Sequence, residues 1–221
     1  VNAESEVISA LGKWGVIPVV VIDDAADAVP LLTTLSQAGL PLAEITFRTP
    51  AGAEAIRAVV DAGLTGGHAA VLVGAGTVTT ANEVDKAVDA GAQFVVSPGF
   101  SRSVVERCQE RGVPIVPGAV TATEILACLE MGLQTVKFFP ASVSGGPSAI
   151  QALAEPFGSL QVIPTGGINP DNLATYLNIP NVVAAGGSWM VPRAAIQSKD
   201  FALIGSLSEQ AVALATAIRQ D

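Results

Sequence analysis

Lys137 is the residue of this sequence that most needs a chemical explanation. Only four lysines are present, and Lys13, Lys86 and Lys199 lie in helix-like or loop-like stretches where solvation accounts for them. Lys137 instead interrupts the strand-like run Val136-Lys137-Phe138-Phe139-Pro140, where alternation sends it to the same face as Thr135 and Phe139. A lysine walled in by apolar groups loses hydration of its charged form, and the free amine can attack a carbonyl to form a Schiff base. The same placement fits a buried structural ion pair, or a register that turns Lys137 to the surface. A partner is available in Ala43-Glu44-Ile45-Thr46-Phe47-Arg48, where Glu44, Thr46 and Arg48 share one face and Ile45 and Phe47 take the other. Two charges on the inner face of a strand are costly unless they bind or react with something. A Glu44–Arg48 pair that only plugs one end of the sheet is the bland alternative.

Glycine marks the second kind of chemistry. Pro164-Thr165-Gly166-Gly167-Ile168 and Ala185-Gly186-Gly187-Ser188-Trp189 read as turns at the ends of the last two strands. Glycines there let backbone N–H groups approach an anion such as phosphate, and a following helix favours its charge. Val73-Gly74-Ala75-Gly76-Thr77-Val78 reads as a third turn; its GxG lacks the continuation of a dinucleotide fingerprint. Ser97-Pro98-Gly99-Phe100 and Pro117-Gly118 read as turns that shape the mouth of a site. The one histidine, His68, reads as an exposed bystander at the far end, so no His-rich metal site exists and a serine–histidine triad would rest on it alone. Cys108 and Cys128 form no CxxC pair and read as buried thiols of a reducing compartment.

These residues need a scaffold. Val/Ile-rich runs at Val16–Ile22, Leu42–Phe47, Ala70–Gly74, Phe94–Ser97, Ile115–Pro117, Thr135–Phe138, Gln161–Pro164 and Val182–Ala185 read as strands. Helix patterns such as Asp27–Ala38, Ala51–Asp61, Thr80–Ala90 and Ser101–Arg111 separate them. Gly39, Gly63, Gly91, Gly112 and Gly132 each stand between a helix pattern and a strand, the stop signal of a left-handed cap followed by an apolar residue. Strands alternating with helices imply a parallel sheet. Eight repeats fit a (β/α)₈ barrel, with an initial helix over Glu4–Trp14 closing the bottom and 1–221 forming one domain. The competing doubly wound sheet would carry a glycine-rich turn after its first strand, where this chain has Ile22-Asp23-Asp24-Ala25. In a barrel, Glu44 and Lys137 lie on even-numbered strands, which share layers, and can meet across the lumen.

Composition sets the outer bounds. With 221 residues, half of them apolar and 14% charged, the chain is neither disordered nor dependent on metal or disulfide to fold. A net charge of −9 argues against sequence-independent nucleic-acid binding. The run Val16–Ile22 is interrupted by Pro18, and Glu4 and Glu6 stand near the start. No membrane span, no export signal and a cytoplasmic protein are therefore expected.

Taken in order, Glu44 to Pro50, Gly74 to Val78, Ser97 to Phe100, Pro117 to Ala119, Lys137 to Ala141, Pro164 to Ile168 and Gly186 to Trp189 are similar to the signature blocks of one family. It is the 2-keto-3-deoxy-6-phosphogluconate (KDPG) aldolase and 4-hydroxy-2-oxoglutarate aldolase family of class I aldolases. The resemblance implies a homotrimer of (β/α)₈ barrels with no metal or other cofactor, acting on a phosphorylated 2-keto acid. By the same resemblance, Lys137 is the Schiff-base lysine and Glu44 the general acid/base. Arg48 would hold the substrate carboxylate, with Thr77 beside the pyruvate moiety and Pro98 and Phe139 walling that pocket. Thr165 would bind substrate, and Gly166, Gly167, Gly187 and Ser188 its phosphate. Phe47 stands where family members often have Leu, and Ser142 where an acidic residue is common. Cleavage of 4-hydroxy-2-oxoglutarate and a non-catalytic sugar-phosphate-binding barrel are the rival readings. A metal-dependent barrel epimerase would need ligands that one histidine does not supply.

Overall fold

Valines and isoleucines at alternate positions let each short strand bury both faces, which is what a parallel sheet covered by helices requires. The computed structural model describes residues 3–67 and 70–220; His68 lies outside them. After α1 (Ala3–Gly12) come β1 (Val16–Val20), a 3₁₀ turn and α2 (Ala28–Gln37), β2 (Leu42–Thr46), α3 (Gly52–Asp61), β3 (Leu72–Gly76) and α4 (Ala81–Asp89). The alternation continues through β4 (Val95–Val96), α5 (Arg102–Arg111), β5 (Ile115–Val116), α6 (Ala122–Glu130), β6 (Thr135–Phe138) and α7 (Gly146–Ala154). It ends with β7 (Gln161–Pro164), α8 (Leu173–Leu177), β8 (Ala185–Gly187), α9 (Arg193–Gln197) and α10 (Phe201–Gln220).

All pairings are parallel. Six strands run in the order β5-β4-β3-β2-β1-β8, and β6 pairs with β7. The bridge Gly118↔Lys137 joins β6 to the chain leaving β5, and Thr165↔Gly186 joins β7 to β8. The ring therefore closes as the expected (β/α)₈ barrel.

Two apolar clusters follow from strand alternation. Val20, Ile45, Val73, Val95 and Val136 face outward against the helices. Ile17, Leu42, Phe94, Val96, Val116 and Ile163 face inward, where Ile8 and Leu11 of α1 plug the barrel bottom as expected. All five stop-signal glycines have positive φ, from 66° at Gly112 to 93° at Gly91. At the opposite ends of two helices, Thr80 with Glu83 and Thr121 with Glu124 form capping boxes. Each such cap contributes about 1 kcal/mol, and together they fix where α4 and α6 start at the mouth of the barrel.

Two strand boundaries depart from the expectation. β3 and β8 both lie further along the chain than the Val-rich runs alone indicate, so Gly74-Ala75-Gly76 and Gly186-Gly187 pair as strand rather than turn. The reason is lateral. A side chain at Gly74 would strike the Phe94 ring, one at Gly186 the Thr165 hydroxyl, and one at Gly187 the Trp189 ring.

By length and composition α10 could cross a membrane, with a mean hydropathy of 1.5, although it holds no long unbroken apolar run. Its packing accounts for that apolarity: Ile204, Ser208, Ala211 and Ala215 are buried at helical spacing, and Arg219 bonds the carbonyls of Gly12 and Val183.

Candidate functional site

The chemistry-bearing side chains stand where strand alternation puts them. In β2, Ala43 and Ile45 enter the outer core, so Glu44 and Thr46 point into the lumen. Thr46 spends its hydroxyl on the Val20 carbonyl at 2.8 Å, which ties β2 to β1 beside Glu44. In β6, Val136 and Phe138 are outward, which turns Lys137 inward between them. Lys137 Nζ donates to Glu44 Oε1 at 2.9 Å and approaches Oε2 at 3.3 Å. Both residues are buried, at 6% and 3% exposure, although 93 positions separate them. The bland pairing of Glu44 with Arg48 is absent among the described residues.

Glu44 fits only because β3 carries glycine beside it. A Cβ on Gly76 would lie 2.2 Å from Glu44 Oε1. The next residue, Thr77, holds φ at 59°, a left-handed conformation that a β-branched side chain adopts at a cost of about 1–3 kcal/mol. Such strain concentrates at functional sites. The Pro98 carbonyl packs on Gly118, where a Cβ would sit 2.2 Å away, and Gly118 bridges Lys137. Thr77 and Pro98 are thus each one residue removed from the pair and do not line the cavity above it.

That cavity is about 360 Å³. Phe139 links it to the pair, lining its wall while its ring centre lies 5.4 Å from Lys137 Nζ. Arg48, Thr165, Gly166, Gly167, Gly187 and Ser188 line it as well. Gly166 and Gly167 have φ of 100° and 77°, so this loop is open to glycine and strained for other residues. Ser142, the departure noted in the sequence, packs its hydroxyl where a Gly167 side chain would stand, and its N–H donates to the Gly166 carbonyl at 3.1 Å. Thr165 Oγ1 is buried with no hydrogen-bond partner and packs against Gly186, where a side chain would stand 2.3 Å away.

Sequence reasoning missed four of the apolar walls, Val19, Val21, Ile168 and Val191, and one charge, Arg193. The first two follow from inward alternation in β1 and could have been found there. Arg193 lies in α9 with no motif around it. Phe47 faces α3, where its ring crowds Gly52, and leaves the site alone.

Two cations and no carboxylate line the cavity, and a buried amine–carboxylate pair lies beneath it. Burial also pushes the Cys108 and Cys128 thiols up to about 12, which leaves both without thiolate chemistry near neutral pH.

Comparison with known proteins places this arrangement. The family model described as KDPG and KHG aldolase matches residues 7–207. A 2-dehydro-3-deoxy-phosphogluconate aldolase of Treponema pallidum is 48% identical over 204 residues, covering 92% of this chain and 95% of the relative. One from Haemophilus influenzae is 44% identical over 207 residues, covering 94% and 95%. The solved KDPG aldolase of Legionella pneumophila, with pyruvate captured at low pH as a covalent carbinolamine intermediate, superposes with a TM-score of 0.87 at 36% identity. That match covers 92% of this chain and 97% of the other.

Proposed function

The chain belongs to the KDPG and KHG aldolase family, and we propose that it cleaves KDPG to pyruvate and glyceraldehyde 3-phosphate through a Schiff base on Lys137. The observation that carries the assignment of roles is the 2.9 Å contact between a buried amine and a buried carboxylate under a cation-lined cavity. A carbinolamine, the species captured in the Legionella relative, forms only on an amine, and Lys137 is the buried amine here.

The reaction then runs as follows. Arg48 pairs with the carboxylate of the 2-keto acid and sets C2 against Nζ. Lys137, having passed its proton to Glu44, adds its lone pair to C2. Glu44 returns a proton to the carbinolamine oxygen, water leaves, and the iminium forms. Glu44, again a base, takes the proton of the C4 hydroxyl. The C3–C4 bond breaks, its electrons enter the iminium to give an enamine, and glyceraldehyde 3-phosphate departs. Protonation of the enamine at C3 and addition of water release pyruvate and regenerate the amine. Phe139, its ring centre 5.4 Å from Lys137 Nζ, screens the pair from bulk water, and Thr77 and Pro98 wall the pyruvate side of the pocket in this reading. Thr165 lines the cavity, and Gly166, Gly167, Gly187 and Ser188 form the phosphate end, where backbone N–H groups of glycine can approach closely.

A second reading uses the same pair. Cleavage of 4-hydroxy-2-oxoglutarate to pyruvate and glyoxylate needs Lys137, Glu44 and Arg48 and no phosphate donor. Comparing kcat/KM for the two substrates decides which the site serves better. A homotrimer working in the cytoplasm belongs to the same proposal; apolar Val143, exposed in the loop after β6, supports the assembly, which light scattering tests.

Borohydride reduction in the presence of pyruvate, followed by peptide mass spectrometry, tests the central step. One reduced pyruvyl adduct on Lys137 is expected, lost in Lys137→Met and in the doubly neutral Lys137→Met, Glu44→Gln chain. An absent adduct in the folded wild type would reduce the barrel to a binding module.

A further inference from the structure

Arg193 is the one charged residue of the cavity wall that the proposed roles leave unused. It belongs to α9 and lines the same cavity as Gly187 and Ser188. Its guanidinium is gripped from behind: Nε donates to Asp23 Oδ2 at 2.9 Å and Nη2 to Oδ1 at 2.5 Å. Gln197, one turn on, donates to the same carboxylate at 2.9 Å. This fork-on-carboxylate geometry fixes a flexible side chain in one plane. Among the described residues Nη1 has no hydrogen-bond partner, so its two N–H groups remain free for a ligand.

The cavity wall therefore carries two cations, Arg48 and Arg193, and no carboxylate. A substrate that carries both a carboxylate and a phosphate matches two cations in charge. We propose that Arg193 is a specificity-determining residue that binds the phosphate of the substrate through its free Nη1 donors, and that Asp23 is the residue that positions it. The inference rests on the reading of the cavity as a KDPG site and deepens it: glycine N–H groups alone bind any small oxyanion, whereas a fixed guanidinium selects the phosphorylated substrate. Hydrogen bonding to Arg193 holds the Asp23 carboxyl at about 2, so the grip stays ionised throughout the working range of pH.

The test compares wild type, Arg193→Ala and Arg193→Lys in steady-state cleavage of KDPG and of 4-hydroxy-2-oxoglutarate, with binding of inorganic phosphate measured by calorimetry. Losing a charge-assisted hydrogen bond corresponds to roughly 10- to 100-fold in affinity. Arg193→Ala should raise KM for KDPG by that factor with kcat nearly held, so that the ratio of kcat/KM between the two substrates falls at least tenfold. Inorganic phosphate should weaken in parallel, and Arg193→Lys should recover part of both. Asp23→Asn should raise KM for KDPG by a smaller factor. An Arg193→Ala ratio within twofold of wild type, in protein that cleaves KDPG, would overturn the inference and leave Arg193 as a tie between α9 and Asp23. A wild type that binds phosphate but cleaves no KDPG would sink the proposed function, and the loss or retention of phosphate binding in Arg193→Ala would still decide the role of the arginine.

Discussion

Gly76→Ala is the substitution that probes the site without replacing a reacting residue. Gly76 has no positive φ, so alanine meets no backbone penalty there. Its new methyl would lie 2.2 Å from Glu44 Oε1, 2.6 Å from Cγ and 2.8 Å from Cδ. Ordinary van der Waals contact begins near 3.4 Å, so Oε1 must retreat by about 1.2 Å. That displacement removes the 2.9 Å bond to Lys137 Nζ or bends it out of line. A misplacement of about 1 Å costs on the order of 10² in rate, and removing a general acid/base outright costs about 10² to 10⁴. Gly76→Ala should therefore lower kcat by about 10², with Glu44→Gln setting the deeper limit. Overpacking should also cost about 1–3 kcal/mol of stability, a fall of roughly 2–12 °C in Tm.

The assay is pyruvate release from KDPG, with Tm measured on the same preparations. Gly74→Ala is the control. It overpacks the same strand, placing a methyl 2.4 Å from the Phe94 ring, and it does so in the apolar layer below the pair. It should lose stability and keep kcat within a few-fold. Folded Gly76→Ala with wild-type kcat would refute the claim that the carboxylate position limits turnover.

Three other outcomes are expected. Ser188→Phe, at the exposed rim of the cavity, should lower kcat/KM for KDPG at least tenfold more than for 4-hydroxy-2-oxoglutarate, as measured in parallel assays; equal losses would move the phosphate end elsewhere. Cys108 and Cys128, both raised to about 12 by burial, should react with an aromatic disulfide at pH 8 at least about 10³-fold more slowly than an ordinary thiol, and fully once the chain is unfolded in guanidinium. The sign of the linkage is fixed: unfolded thiols ionise near pH 9 and folded ones near 12, so stability holds below 9 and falls as pH rises from 9 to 12. Urea melts at pH 8 and pH 10.5 check it, and a higher midpoint at pH 10.5 would contradict the burial.

What could be read from the sequence was local. Five helix stops, those of α2 to α6, are marked by a glycine followed by an apolar residue, and strand alternation places Lys137, Glu44 and the lumen they share. β6 and β7 have the boundaries their Val/Ile runs indicate. What could not be read depends on neighbours far along the chain. Gly74, Gly76, Gly186 and Gly187 look like turn residues because glycine is common in turns. They are strand residues whose missing side chains leave room for Phe94, Glu44, Thr165 and Trp189. Arg193 was invisible for the same reason, since its partner Asp23 is 170 positions away.

Those two hidden features explain how one acidic barrel separates binding from proton transfer. Glu44 and Lys137 cancel in charge and sit below the cavity, among apolar walls where a proton passing between them changes little outside. The anion-binding charges, Arg48 and Arg193, stand above at the rim, where water lowers the cost of keeping each ionised. A chain of net charge −9 repels dianions at long range, so capture must come from donors fixed at short range. Salt should therefore have an effect opposite to that in a positively steered enzyme. Screening the overall charge should raise the association rate of KDPG as ionic strength goes from about 10 to 150 mM, where the Debye length shrinks from about 30 to 8 Å. Stopped-flow association of KDPG with the Lys137→Met chain reads that rate directly. A rate that falls with salt would mean that the field of the two arginines, and not the net charge, governs the approach of substrate.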